Sequence, residues 1–302
     1  MTDVFQNTDL MWFGTRERMQ WIDTPNSGAN VSPTGMLAEA DLINGGAFVR
    51  NSADAHKNYS FTWGNSADRR LASILRAYRN GSYGRGLIYF LDPMYYETNL
   101  LPQRWADPSM ALDTEAPNLT GDRFIPSAAV TAPNPNGLPV RSAFYSFPLN
   151  ANYDGLRDGD SLFIPIPPGS ELLLSAFYAQ TGSAYIKVRR NGVAGETYNL
   201  ATTGVGAAVT SPTVLAGGAT GAYAELYLGT ATSGVASTLQ IAGITARLRW
   251  PGSGSLTDPF WYTGEGHSGC RFSGSPTVYN TDGIGGGHVA LSCDLKETGS
   301  WE

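Results

Sequence analysis

One short stretch of the sequence, WYTGEGHSGCRF at 261–272, places a glutamate, a histidine and a cysteine within six residues. These residues, Glu265, His267 and Cys270, carry the groups from which metal sites and activated nucleophiles are built. The glycines between them and the aromatic residues beside them are equally typical of a tight structural turn. Three interpretations therefore compete for this stretch: a catalytic cluster, a metal site and a turn.

A metal site would need further ligands, because structural zinc takes four, usually as two spaced pairs. His267 and Cys270 form an H-x-x-C pair, and His288 and Cys293 are separated by four residues, so a Cys₂His₂ site is one alternative. We favour the interpretation that both cysteines are small buried residues on adjacent strands. A disulfide between them is the third alternative, although two cysteines do not make a disulfide scaffold.

Nucleophilic catalysis has weaker support in the sequence. The chain has no G-x-S-x-G motif, and a Cys–His pair inside one tight loop lacks a separate group that orients the base. The stretch DGIGGGH at 282–288 lacks the motif and the strand-to-helix context of a phosphate-binding loop. The acidic residues of YDGLRDGD at 153–160 are typical of turns, and no pattern pairs two carboxylates about 5–9.5 Å apart, as a glycosidase requires. We therefore predict no enzymatic activity, no cofactor and no catalytic or metal-binding residues.

The composition narrows the class of protein. Only 15% of the 302 residues are charged, and the chain contains 36 glycines and 18 prolines, which is typical of a mainly β protein. Its net charge of −6 argues against binding to the nucleic-acid backbone, which needs a basic surface. The opening residues MTDVFQNTDL lack the regions of a secretory signal, and the longest mainly apolar run, 172–179, is too short to cross a bilayer. We expect a protein that is made in a cytoplasm and is not inserted into a membrane.

Residues 1–91 predict strands followed by one helix. LMWFG and MQWID are short aromatic strands, and HKNYSFTWG places Tyr59, Phe61 and Trp63 on one face of a strand. GLIYFL at 86–91 is an apolar run of the kind found in buried strands.

The predicted helix lies in SADRRLASILRAYRNG. Its apolar stripe at positions i, i+3, i+4 and i+7 consists of Leu71, Ile74, Leu75 and Tyr78. Ser66 is the expected N-cap, and Asn80-Gly81 ends the helix. Four arginines lie off the stripe, either as a solvated face or as contacts to an acidic neighbour: Arg69, Arg70, Arg76 and Arg79.

The rest of the chain predicts an insertion. Residues 113–140 lie in a Pro-, Asn- and Gly-rich connection, and 141–251 show repeated strand and turn patterns that favour a jelly-roll β-sandwich. The segment 252–302 is too small to fold alone, so we assign it to the same domain as 1–112. The fold prediction is thus mainly β: a discontinuous outer domain with one helix, interrupted by an inserted sandwich whose two linkers lie side by side.

Several segments together resemble a known family. They are MWFG with NGGAFVRNSADAHKNYSFTWG, then NLLPQRWADPSMALD, then GEGHSGCRF with LSCDLKETGSW. This series resembles the minor tail proteins of long-tailed actinobacterial phages, which are similar to the distal tail protein group. The matching segments cover about 1–112 and 258–302, and so bracket the predicted insertion.

The resemblance implies a structural protein of the virion. It implies a homo-hexameric ring at the tail tip, with the tail tube protein, the tape-measure protein and a baseplate hub protein as partners, and a distal-tail-like fold for the outer domain. The loop at 261–272 would then serve folding and subunit contacts. The interface residues that we predict on this basis are Trp261, Tyr262, Glu265, His267, Phe272, Arg69 and Arg76.

The predicted sandwich has a resemblance of its own. IPIPPGSELLLSAFYAQ is similar to the jelly rolls of carbohydrate-binding modules. This resemblance implies an alternative function, a carbohydrate-binding adhesion module that contacts a host-surface glycan, and leaves a cell-wall glycosidase as a third hypothesis. Six tyrosines of the sandwich could stack on sugar rings or pack within strands: Tyr153, Tyr178, Tyr185, Tyr198, Tyr223 and Tyr227.

Overall fold

A computed structural model describes most of the regular structure of the chain. The described residues are 10–26, 30–34, 37–41, 47–51, 56–92, 98–102, 106, 128–131, 143–149, 162–181, 184–191, 197–199, 201–202, 213–230, 237–249, 264, 266–267, 269–280 and 288–298. The protein is mainly β with one helix among the elements of this part, which confirms the predicted class.

The elements follow one another in this order: β1 (Leu10–Thr15), β2 (Arg18–Asp23), β3 (Asn30–Thr34), β4 (Leu37–Asp41), β5 (Ala47–Asn51), β6 (His56–Asp68), α1 (Arg69–Arg79), β7 (Ile88–Leu91), β8 (Ala128–Thr131), β9 (Ala143–Leu149), β10 (Leu162–Ile166), β11 (Glu171–Thr181), β12 (Ala184–Arg190), β13 (Thr197–Asn199), β14 (Ala201–Thr202), β15 (Thr213–Ala216), β16 (Ala222–Thr230), β17 (Ser237–Arg249), β18 (Cys270–Phe272), β19 (Thr277–Asn280) and β20 (His288–Glu297).

The chain forms two compact units. The first consists of Met1–Met94 and Gly269–Gly299, and the second of Tyr95–Ser268 with Ser300–Glu302. The second unit therefore interrupts the first in sequence. The chain returns to the first unit after Ser268, so the stretch WYTGEGHSGCRF is divided between the two units.

One sheet of the first unit has the strand order β2-β1-β7-β18-β20-β6-β3, with β19 paired to β20. Tyr59, Phe61 and Trp63 of β6 are all buried, as their alternation predicts. Phe90 of β7 meets Tyr59 and Phe61 edge-on, with ring centroids 4.8 and 5.1 Å apart. Because edge-to-face rings are favourable beyond their buried area, these aromatics fix how β6 and β7 pack.

Helix α1 buries the predicted stripe, with one exception. Leu71, Leu75 and Tyr78 are buried, whereas Ile74 is only half-buried, and Ala72 is buried instead. The helix ends as predicted, with Asn80 as its C-cap and Gly81 at φ 75°.

The predicted N-cap of α1 is wrong. Ser66 lies within β6, which continues to Asp68 because Ala67 and Asp68 still pair with β20. Asp68 caps the helix instead, and its Oδ1 accepts a hydrogen bond from the backbone N–H of Arg70 at 3.0 Å.

The second unit contains two larger sheets, ordered β10-β16-β12-β13 and β14-β11-β17-β9-β8, with β15 paired to β11. Strand β12 contacts both β11 and β17, so the two sheets face each other across an apolar core. The core residues are Ile164, Ile166, Leu172, Leu174, Ala176, Ile186, Val188, Leu215, Ala224, Leu226, Ile244, Ala246 and Leu248. The last three alternate along β17 with the half-buried residues Thr245, Arg247 and Arg249.

The Pro-Pro-Gly turn links these two sheets. It joins β10 of one sheet to β11 of the other, and Gly169 takes a φ of 76°. The Ser170 hydroxyl donates to the carbonyl of Pro167 at 2.7 Å, and the Ser170 carbonyl accepts from the N–H of Gly217 at 2.8 Å. These bonds hold the crossover against the edge of β15.

None of the helical residues in the described ranges belongs to a helix long and apolar enough to cross a membrane. Helix α1 has 11 residues.

Candidate functional site

The glycines of the GEGH stretch lie directly against another segment of the second unit. Gly264 forms a parallel bridge with Asn99, and the N–H of Gly266 donates to the carbonyl of Leu101 at 3.1 Å. A Cβ on Gly264 would come within 2.8 Å of the Ala106 Cβ. A Cβ on Gly266 would overlap the carbonyl group of Leu100. Glycine is therefore required at both positions, because the two backbones touch.

The first of these two segments, Thr98–Pro102, lies just after the point where the chain enters the second unit. The other, Gly264–His267, lies just before the point where the chain leaves it. Their parallel pairing places the entering and leaving stretches of this unit side by side.

Asn99 holds this arrangement to the sheet. It is fully buried, and its side-chain amide donates to the carbonyl of Ile244 and accepts from the N–H of Ala246, both at 3.0 Å. The N–H of Leu100 donates to the carbonyl of Ala246 at 2.8 Å. Strand β9 pairs with β17 only along Ser237–Ile241. Beyond the end of β9, Asn99 and Leu100 therefore supply the hydrogen-bond partners for the backbone of β17. No sequence pattern indicated this role, because Asn99 is an isolated asparagine in a proline-rich connection.

The second half of the stretch turns into β18 of the first unit. Gly269 has a φ of 113°, and a Cβ there would lie 2.8 Å from the Leu87 Cδ1. The carbonyl of Gly269 accepts from the N–H of Thr298 at 3.2 Å. The glycine thus allows both a left-handed backbone and close packing on Leu87.

Cys270 and Cys293 are buried thiols on the paired strands β18 and β20, and no disulfide joins them. This confirms the interpretation as small buried residues on adjacent strands, and the alternative of a disulfide is wrong. Burial raises the pKa of Cys293 to about 12, and burial together with the nearby Glu297 carboxylate raises the pKa of Cys270 well above its usual value. Neither thiol is a nucleophile at neutral pH, because the thiolate is the reactive form.

No group of three or more His, Cys, Asp or Glu side chains with metal-site geometry occurs within the described ranges. Of the four residues in the alternative Cys₂His₂ site, His267 belongs to the second unit, whereas Cys270, His288 and Cys293 belong to the first. His267 is only 8% exposed, so its side chain is buried within the chain itself.

The structure describes three of the remaining predicted interface residues. Arg69 and Arg76 are exposed on α1, and their seven-residue spacing places them on one face of the helix. Phe272 is half-buried on β18. Trp261, Tyr262 and Glu265 lie outside the described residues.

Tyr78 joins α1 to the first hairpin of the first unit. Its hydroxyl accepts from the Gln20 side-chain amide at 3.2 Å and lies 3.1 Å from the Arg18 carbonyl, to which it can donate. Desolvation by burial raises the pKa of Tyr78 to about 12, so it remains a neutral hydrogen-bonding group. Arg18 stacks over the ring of Tyr83, with its guanidinium carbon 3.9 Å from the ring centroid.

Comparison with protein-family models, curated proteins and solved structures found no match to this chain.

Proposed function

We propose that the protein is a structural component of a phage tail tip, where it forms a closed ring that joins the tail tube to the baseplate or tip complex. One observation carries the proposal beyond the sequence resemblance. In GEGHSGCRF, the longest of the matching segments, Gly264, Gly266 and Gly269 are used for close backbone packing, and Cys270 is a buried thiol with a raised pKa. A loop whose reactive group is buried and whose glycines are sterically required is better suited to assembly than to catalysis.

In this proposal the chain is not an enzyme and uses no cofactor. It is made in the host cytoplasm and incorporated into the virion, as a homo-hexamer in contact with the tail tube protein, the tape-measure protein and the baseplate hub protein. A closed ring needs a heterologous, head-to-tail contact. The exposed face of α1 that carries Arg69 and Arg76 offers a basic surface for an acidic neighbour in a chain whose net charge is −6.

Charge reversal on α1 tests this proposal. We expect light scattering of the purified full-length chain to give the mass of a closed oligomer, and the double variant Arg69→Glu/Arg76→Glu to shift it toward the monomer. Arg70→Glu is the matched control, because Arg70 is also exposed on α1 but lies about 100° around the helix from Arg69. A monomeric unmodified chain, or an equal effect of the control, would contradict this interface.

The alternative, a carbohydrate-binding adhesion module, is favoured by one feature of the second unit. Tyr223 of β16 is half-exposed, and its ring packs 4.9 Å from that of Phe163 of the neighbouring β10, at an interplanar angle of 35°. A tyrosine supported in this way could stack on a sugar ring. A glycan array probed with the full-length chain tests this alternative. Binding that is lost in Tyr223→Ala and kept in Tyr279→Ala would support it, since Tyr279 is 64% exposed in the other unit.

A further inference from the structure

A pocket of about 420 Å³ lies at the C-terminal end of α1, entirely within the first unit. Its charged lining residues are three arginines from separate segments: Arg79 at the end of the helix, Arg85 in the following turn and Arg271 on β18. The other residues that line it are Tyr78, Asn80, Gly81, Gly84, Gly86, Ile88 and Phe272. Its volume falls in the range of small-molecule and side-chain binding pockets, about 300–1,000 Å³.

The arginines are not required to neutralise the end of the helix. The last carbonyls of α1 already accept hydrogen bonds from backbone N–H groups that follow the helix, at 2.8–3.0 Å. The donor and acceptor pairs are Asn80 to Arg76, Ser82 to Ala77 and Gly81 to Tyr78. The Nε of Arg79 donates instead to the carbonyl of Gly274 at 3.2 Å, which fixes this side chain beside the pocket. Arg79 is therefore held at the pocket rather than over the last carbonyls of α1.

The charge around the pocket favours an anion. Arg271 stands directly opposite Lys296 in the register of β18 and β20, and like charges in this position are destabilising. The carboxylate of Glu17 lies beside Gly84, where a Cβ would come within 2.6 Å of the Glu17 Oε2. Asp294, on the same face of β20 as Lys296, is a second acidic group. The three arginines of the pocket and Lys296 outnumber these two carboxylates. A bound anion would reduce the repulsion between Arg271 and Lys296.

We propose that this pocket binds a multivalent oxyanion, held by the guanidinium groups of Arg79, Arg85 and Arg271. Arginine is suited to this role because its planar group pairs with carboxylate and phosphate oxygens through two parallel hydrogen bonds. The shared chemistry is that of adjacent negatively charged oxygens, which either a free phosphate compound or an acidic protein segment supplies. The pocket would bind such a group whether or not the chain assembles into a ring.

Calorimetric titration of the full-length chain tests the pocket with two probes, inorganic pyrophosphate and a hexaglutamate peptide. We expect saturable binding of at least one probe, with one site per chain, that weakens as NaCl is added. Tighter binding of pyrophosphate identifies the phosphate source, and tighter binding of hexaglutamate identifies the acidic segment.

Variants decide whether the binding takes place in this pocket. Arg85→Gln and Arg271→Gln each remove one charged donor from an exposed side chain, and each should weaken binding about tenfold. Arg70→Gln removes the same charge at the other end of α1 and should leave the affinity unchanged. Unchanged melting temperatures would show that the variants are folded. The proposal is overturned if neither probe gives saturable binding, or if Arg70→Gln weakens binding as much as the pocket variants.

Discussion

The packing of the GEGH stretch predicts that Gly266→Ala destabilises the second unit. The added methyl group would overlap the carbonyl of Leu100 and lie 3.2 Å from its Cα. Leu100 cannot move away freely, because its N–H is bonded to the carbonyl of Ala246 at 2.8 Å and the next residue, Leu101, accepts from Gly266 at 3.1 Å. The clash must therefore displace one of these segments and break at least one hydrogen bond.

The magnitude follows from these two effects. Inserting a methyl group into a packed site typically costs about 1–3 kcal/mol, and a lost hydrogen bond adds about 1 kcal/mol. We expect the free energy of unfolding to fall by about 2–4 kcal/mol. For a unit of this size, that corresponds to a decrease in Tm of about 4–16 °C.

Urea unfolding followed by circular dichroism measures the change. Gly274→Ala is the control, since a Cβ on Gly274 would meet nothing within 4 Å, and we expect its stability to change by less than about 0.5 kcal/mol. If Gly266→Ala unfolded at the same urea concentration as the unmodified chain, the close contact between the entering and leaving segments would be refuted.

Three further predictions follow from buried groups. Asn99→Ala should lower the free energy of unfolding by about 3–5 kcal/mol. The substitution leaves two backbone groups of β17, the carbonyl of Ile244 and the N–H of Ala246, buried and without their Asn99 partner. A loss below about 1 kcal/mol in urea unfolding would contradict this role. Cys270 and Cys293 should not react with Ellman's reagent in the native protein, and both should react in urea; rapid native labelling would show that the thiols are accessible. Burial raises the pKa of Tyr78 and of Tyr89 from 10.0 to about 12 in the folded protein. As the pH rises, the unfolded state therefore loses these protons first, and the free energy of unfolding should fall between pH 10 and 12. The expected loss at pH 11 is about 1.4 kcal/mol per tyrosine. Urea unfolding at pH 8 and pH 11 measures this loss, which Tyr78→Phe should reduce; equal stability at the two pH values would contradict the raised pKa.

Local patterns in the sequence predicted much of the first unit. The alternation of Tyr59, Phe61 and Trp63 identified the buried face of β6, and the apolar spacing identified α1 to within a few residues. The start of the helix was misplaced because Ser66 and Asp68 are both good N-caps, and the choice between them depends on pairing with β20, more than 200 residues further along the chain. Such a long-range contact leaves no local signal.

The glycine-rich stretch shows the same limit. Its residue types indicated either chemistry or a turn, and burial of Cys270 against β20 favours the structural interpretation. Why Gly264 and Gly266 must be glycine depends on Thr98–Pro102, a segment whose composition indicated only a connection. The role of Asn99 is equally non-local, because its partners lie in β17.

The most direct test of the proposed function is negative-stain electron microscopy of the purified full-length protein. The proposal predicts closed rings with an open lumen, formed by identical subunits. Dispersed single particles, together with a monomeric mass at every concentration measured, would contradict a ring-forming tail protein and favour the adhesion module.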